Sequence, residues 1–154
     1  MVKVLFVCLG NICRSPMAEG LFRKRIIDEG LEEQIKIESR ATSSYEIGHK
    51  PHKGTKDILV DKDAYFSDMV SQRISKSDFE IFDFIIGMDD SNVRSLRQLA
   101  GDYYHKVYKY LDVCDTCKRK EIDDPYYTNR FDITYQDILK AMDEWMDIFK
   151  KYLN

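Results

Sequence analysis

Val4-Leu5-Phe6-Val7 is a continuous apolar run, β-branched at both ends, and it stops at Cys8. So short and uniform a run reads as a strand buried on both faces of a parallel sheet. Leu9-Gly10-Asn11-Ile12-Cys13 follow, and Arg14-Ser15-Pro16 then opens a helix on which Ala18, Leu21, Phe22 and Ile26 recur on one face. Pro16 has a helical φ and no N–H to satisfy, so it suits the first helical position after Ser15. Gly30 is well placed as the C-cap. A strand, a tight loop and a helix N-terminus in that order make a cradle for an anion once the loop closes.

The rest of the chain repeats the alternation. Ile35-Lys36-Ile37 and Phe84-Ile85-Ile86-Gly87-Met88 read as further strands, and Val107 to Leu111 as a fourth. Ser75 with Asp78 three residues on marks a helix start. Asp89-Asp90-Ser91 caps a helix carrying Val93, Leu96, Leu99 and Ala100. Arg40 to Gly54 reads as a surface loop, Thr55 to Val70 as one short helix and a turn, and Asp112 to Arg130 as loop. Ile138, Met142, Trp145, Met146, Phe149 and Leu153 step by three and four along a last helix, with Thr134 and Asp137 as its expected cap. The expectation is one α/β domain over residues 1–154 with a parallel sheet. Ligands of such sheets sit outside the carboxyl ends of the strands, where Cys8 lies.

Composition narrows the function classes. The net charge is −3 with no basic tail, so no nucleic-acid partner is expected. No run approaches the ~18 consecutive apolar residues of a membrane span. No leader pattern follows Met1, and a cytoplasmic protein without membrane insertion is expected. The four cysteines fall in two pairs, Cys8 with Cys13 and Cys114 with Cys117, which in a cytosolic chain point to catalysis, redox chemistry or metal binding. A lone C-x2-C is half a zinc site, and three histidines in all do not favour completing it. Cys114 and Cys117 are expected solvent-exposed or occasionally disulfide-bonded, and His49 and His52 solvated.

If the loop from Cys8 to Arg14 curls with its N–H groups inward, it forms a nest for a tetrahedral oxyanion. Gly10 allows a positive φ, and Arg14 can grip two phosphate oxygens at once. The field that binds phosphate also favours a thiolate, so Cys8 becomes a nucleophile beneath the bound phosphorus. Expelling a phenolic oxygen requires a proton, because phenol has a pKa of ~10. Asp124, in the Tyr-rich run Asp123-Asp124-Pro125-Tyr126-Tyr127, is the best-placed acid, with Asp123 beside it to repel its charge.

These residues resemble the low-molecular-weight protein tyrosine phosphatases, over nearly the whole chain. Cys8 through Glu19 is similar to the family's phosphate loop and following helix, and Asp124-Pro125-Tyr126-Tyr127 to its general-acid loop. Ser39 with Ala41 through Gly48 resembles the segment bearing the specificity aromatic, and Asp78-Phe79, Phe82-Asp83 and Met88 through Asn92 the central region. The resemblance implies a single-domain three-layer sandwich, a central four-stranded parallel sheet with helices on both faces. It implies a two-step reaction with no metal or other cofactor: Cys8 attacks, Arg14 holds the phosphoryl oxygens, and Asp124 is acid and then base. Leu9, Gly10, Asn11, Ile12, Cys13 and Ser15 would surround the phosphate, Ser39 would support the loop, and Tyr45, Tyr126 and Tyr127 would wall a phosphotyrosine slot. Cys13 would guard Cys8 by forming a disulfide with it. Substrates would be phosphotyrosine proteins, inorganic phosphate the released product, and the chain a monomer or weak dimer.

Arg40 and His52 depart from the family pattern, the stretch around Met69 matches poorly, and the family has no counterpart of Cys114 and Cys117. Three other readings compete. An arsenate reductase on the same fold needs a redox pair after the third strand, where this chain has none. A protein-arginine phosphatase carries threonine where Ile12 stands. A phosphate-binding module without turnover needs neither Cys8 nor Asp124.

Overall fold

The computed structural model describes residues 1–154. Strands β1 (Val2–Cys8), β2 (Ile35–Ala41), β3 (Phe84–Gly87) and β4 (Val107–Lys109) form one parallel sheet in the order β2-β1-β3-β4. Helices α1 (Arg14–Asp28), α2 (Lys53–Asp61), α3 (Lys76–Ile81), α4 (Asp90–Ala100), α5 (Pro125–Thr128) and α6 (Phe131–Leu153) complete it. Successive residues of β1 serve opposite faces. Val2, Val4, Phe6 and Cys8 enter the larger core with α1, Leu59 of α2 and α6, whereas Leu5 and Val7 enter the smaller one with Phe79 of α3 and Val93, Leu96 and Ala100 of α4. Two buried faces explain why β1 is apolar at every position from Val4 to Val7. Because β1 has β2 on one side and β3 on the other, the strand order reverses at β1, and a crevice opens beyond its carboxyl end. Cys8 ends that strand.

The larger core is stapled by polar contacts inside it. Trp145 Nε1 donates to the Tyr110 carbonyl at 2.8 Å, and its ring stacks on Phe149 at 5.7 Å. Tyr110 is fully buried, and its hydroxyl donates to the Ile138 carbonyl. No helix is long and apolar enough to cross a membrane.

Most element boundaries follow the sequence, and the differences have physical reasons. Helix α1 begins at Arg14, so Pro16 is its third residue; the first N–H groups of a helix have no partner, and proline costs no hydrogen bond there either. Strand β2 runs on to Ala41, paired with β1 residue for residue, and shortens the expected loop. Strand β4 is cut to Val107–Lys109 because Tyr110–Val113 turns into a 3-10 helix. Helix α6 starts at Phe131, so Thr134 and Asp137 lie within it; Thr134 bonds back to the Arg130 carbonyl and Asp137 pairs with Arg119 and Lys140. The expected caps do form on α3, where Ser75 and Asp78 make a capping box, and on α4, where Asp89 accepts from the Asn92 N–H at 2.7 Å.

Cys114 and Cys117 form a disulfide, and Cys114 is buried in the larger core rather than exposed. His49 is exposed, as expected, and is paired with Glu46, but His52 is not a free loop histidine. Its Nδ1 accepts from the Gly54 N–H at 3.0 Å, capping α2, and its ring stacks on Phe131 at 4.9 Å. The Phe131 ring lies where a Cβ on Gly54 would sit. Gly54→Ala should therefore lower stability by about 1–3 kcal/mol in urea unfolding; an unchanged midpoint would show that the Phe131–His52 stack can move aside.

Candidate active site

The loop between β1 and α1 is held by its carbonyls. Thr42 N donates to the Cys8 carbonyl at 2.9 Å, Ser43 Oγ to Leu9 at 2.8 Å, Ser71 Oγ to Gly10 at 2.9 Å, His52 N to Ile12 at 2.8 Å and Thr55 Oγ1 to Cys13 at 2.9 Å. In a trans peptide the C=O and the next N–H point in opposite directions. Drawing these carbonyls outward turns the N–H groups of Leu9, Gly10, Asn11, Cys13 and Arg14 toward the concavity, which is the nest geometry for an anion. The positive φ in the loop belongs to Asn11 (φ 57°), not to Gly10. Asparagine tolerates that conformation when its amide is anchored, and Asn11 Oδ1 accepts from Gln72 N at 3.1 Å while Nδ2 donates to Ser15 Oγ and Ser39 Oγ, both at 2.8 Å. Gly10 serves another end: a Cβ there would come within 3.3 Å of Glu46 Cγ.

Cys8 lies buried at the bottom of the loop, its Sγ 3.1 Å from Ser15 Oγ. Arg14 is only 2% exposed, yet one nitrogen of its guanidinium is not spoken for. Nη1 donates to Asp89 Oδ2 at 2.6 Å and to the Ile122 carbonyl at 2.9 Å, and Nη2 lies 3.5 Å from Asp124 Oδ2. Nε is buried without any partner. Burial disfavours the Arg14 charge, but Cys8, Asp89 and Asp124 more than offset it, and its pKa is raised. With Nη1 pinned behind, the Nε–Nη2 edge is the edge available to a planar pair of oxygens. Cys13 is also buried; desolvation first, and the neighbouring Cys8 charge second, push its pKa far up, so it stays a thiol near neutral pH.

Above the loop opens a pocket of about 220 Å³. Cys8, Leu9, Gly10, Ile12 and Cys13 form its floor, Tyr45, Tyr126 and Tyr127 its walls, and Asp124 and Glu46 its polar rim. Asp124 caps the single turn α5 by accepting from Tyr126 N at 3.1 Å, which fixes its carboxylate at the rim. Asp123 does not crowd it as expected: its carboxylate pairs with Arg119 at 2.8 Å on the surface. Asn11, Arg14, Ser15 and Ser39 stand behind the floor, all buried. The residues singled out in the sequence thus converge on one place.

Residues 3–154 match the model of the low molecular weight phosphotyrosine protein phosphatase family. The chain belongs to that family. It is 38% identical over 154 residues to the low molecular weight protein-tyrosine-phosphatase PtpA of Staphylococcus saprophyticus, covering 100% of this chain and 97% of the relative. It is 40% identical over 152 residues to YfkJ of Bacillus subtilis, a protein of the same description, covering 98% and 97%. The crystal structure of YfkJ superposes with a TM-score of 0.95, covering 99% of this chain and 96% of that one. A Drosophila arginine phosphatase shares the fold at a TM-score of 0.89 and 28% identity, covering 97% and 98%.

Two carboxylates behind the pocket floor were not legible as part of this arrangement in the sequence. Asp89 reads as a helix cap, and it is one, but its second oxygen holds Arg14. Glu19 enters the sequence reading only as the end of the stretch resembling the phosphate loop and its helix, and it is buried beneath Ser39. A buried position for a charged residue on the otherwise apolar face of α1 was the available signal. Two measurements check the geometry. Arg14→Lys, which cannot present two coplanar donors, should weaken competitive inhibition by inorganic phosphate by roughly 10–100-fold. Limiting iodoacetamide at neutral pH should leave Cys13 unmodified in peptide mapping of the native protein, since its raised pKa keeps it protonated there.

Proposed function

We propose that residues 1–154 act as one catalytic domain that hydrolyses phosphotyrosine in proteins through a phosphocysteine on Cys8. The observation that carries this reading is the buried, unpartnered Arg14 Nε beside Cys8, at the floor of a pocket walled by three tyrosines. A phosphotyrosine ring fits between Tyr45 and the Tyr126–Tyr127 pair, whose rings meet edge-on at 5.3 Å. Two nonbridging oxygens then take the Nε–Nη2 edge of Arg14, and the loop N–H groups surround the phosphoryl group.

Cys8 Sγ attacks phosphorus as the P–O bond to the aryl group breaks, and Asp124 delivers a proton to the departing phenolic oxygen. In the second step Asp124, now a carboxylate, takes a proton from water as that water attacks phosphorus. The S–P bond breaks, Cys8 leaves as thiolate, and inorganic phosphate departs. Arg14 serves both steps, because its Nη1 anchors to Asp89 and Ile122 do not involve the face it offers to phosphate.

Ile12 supports tyrosine over arginine as the phosphorylated residue, since it presents an apolar side chain to the pocket where the arginine phosphatases carry threonine. Cys114 and Cys117 are bonded to each other and do not line the pocket, which speaks against a relay of oxidising equivalents from Cys8 to them. The reading includes a cytoplasmic setting and a monomer or weak dimer.

Kinetics on a phosphotyrosyl peptide test it. Cys8→Ser should abolish turnover while still binding the peptide, and Asp124→Ala should lower kcat by about 10²–10⁴-fold. Undiminished turnover by Cys8→Ser would contradict the covalent route.

A further inference from the structure

The hydrogen bonds behind Cys8 can be assigned a direction one by one, and the assignment ends on a residue outside the pocket. Asn11 Oδ1 faces the backbone N–H of Gln72, which can only donate, so Asn11 Nδ2 and both its hydrogens face the serines. Ser15 Oγ and Ser39 Oγ each accept one of them, at 2.8 Å. Each serine then has one hydrogen left to give. That of Ser15 goes to Cys8 Sγ at 3.1 Å, and that of Ser39 goes to Glu19 Oε1 at 2.5 Å. Glu19 is 5% exposed; its other oxygen takes Arg23 Nη2 at 2.6 Å, one helical turn on.

We propose that Glu19 is a positioning residue for the reaction: by accepting the Ser39 hydrogen it keeps Ser39 an acceptor for Asn11, and so keeps Asn11 and Ser15 donating toward Cys8 Sγ. This rests on the reading of Cys8 as the nucleophile. A carboxylate can only accept, so ionised Glu19 gives the chain a single polarity. Within a buried network each bond polarises the next, and the Ser15 hydroxyl is the member that meets the charge on sulfur. That charge is present when Cys8 attacks and again when it leaves, so both chemical steps draw on the same chain. Burial, acting against the ion pair with Arg23 and the bond from Ser39, raises the Glu19 pKa. Arg23 is itself steadied by the Ile37 carbonyl at 3.1 Å and Asp68 at 3.4 Å.

Glu19→Gln is the informative variant because it keeps the shape and reverses the polarity. Arg23 can only donate, so it selects the amide oxygen and leaves the amide N–H groups facing Ser39. Ser39 then receives donors from both sides and loses the acceptor for its own hydrogen. The experiment compares wild type, Glu19→Gln, Ser39→Ala and the double variant, reading kcat on an aryl phosphate, the rate of Cys8 carboxymethylation by iodoacetate, and urea unfolding. The expected result is a fall of roughly 5–50-fold in kcat and slower carboxymethylation in Glu19→Gln, with the double variant no worse than Ser39→Ala. Wild-type kcat and alkylation in Glu19→Gln would overturn the proposal, as would losses that multiply in the double variant. Should Glu19→Gln not fold, Glu19→Met, which removes the buried charge, enters the same comparison. A Cys8→Ser protein that still turns over would remove the nucleophile reading itself, whereas an essential Cys8 with a neutral Glu19→Gln removes the positioning role alone.

Discussion

The pocket exists because the carbonyl oxygens of the Cys8–Cys13 loop are bound from outside. Each peptide plane that gives its oxygen to the surroundings turns the following N–H inward, and the donors come from Thr42, Ser43, His52, Thr55 and Ser71. These lie in or beside the irregular stretch between β2 and α3, the part of the chain with the weakest periodicity. That stretch is the mould in which the loop is cast. It also brings Tyr45 and Glu46 to the mouth of the pocket.

Arg14 is the second constraint. A fully buried guanidinium is costly unless it is paired and hydrogen-bonded. The fold meets that cost on one side only, with Asp89 and the Ile122 carbonyl at Nη1, and leaves Nε without a partner. A donor at such depth is preorganised to meet an acceptor. The same arrangement links the ends of the chain: β3 leads into Asp89, the segment before α5 supplies Ile122 and Asp124, and all three meet an arginine of the first helix. Ile122 is fixed in turn by its N–H bond to the Met88 carbonyl at 3.0 Å.

Much of the fold and site was readable from local patterns. β1 and β3 are legible because burial on two faces forces apolar residues at every position, and α6 because one face repeats over 23 residues. What was hidden depends on contacts distant in sequence. That Asn11 rather than Gly10 takes the positive φ follows from an anchor at Gln72, and that Asp123 faces away from Asp124 follows from Arg119. His52 and Cys114 look like surface residues until Phe131 and the larger core close over them. Asp89 was visible in one role and hidden in the other, because a carboxylate has two oxygens and a sequence pattern reveals only the nearer bond. Glu19 was visible only as the last residue of the stretch resembling the phosphate loop and its helix, and its bond from Ser39 was hidden because Ser39 lies on strand β2.

The proposed route takes the phosphoryl group through sulfur at Cys8. Rapid acid quenching of the protein during turnover of an aryl phosphate, followed by peptide mapping, tests it most directly. The expected result is a phosphoryl group on the peptide containing Cys8, linked to the cysteine. A phosphoryl group carried on any other residue would contradict it.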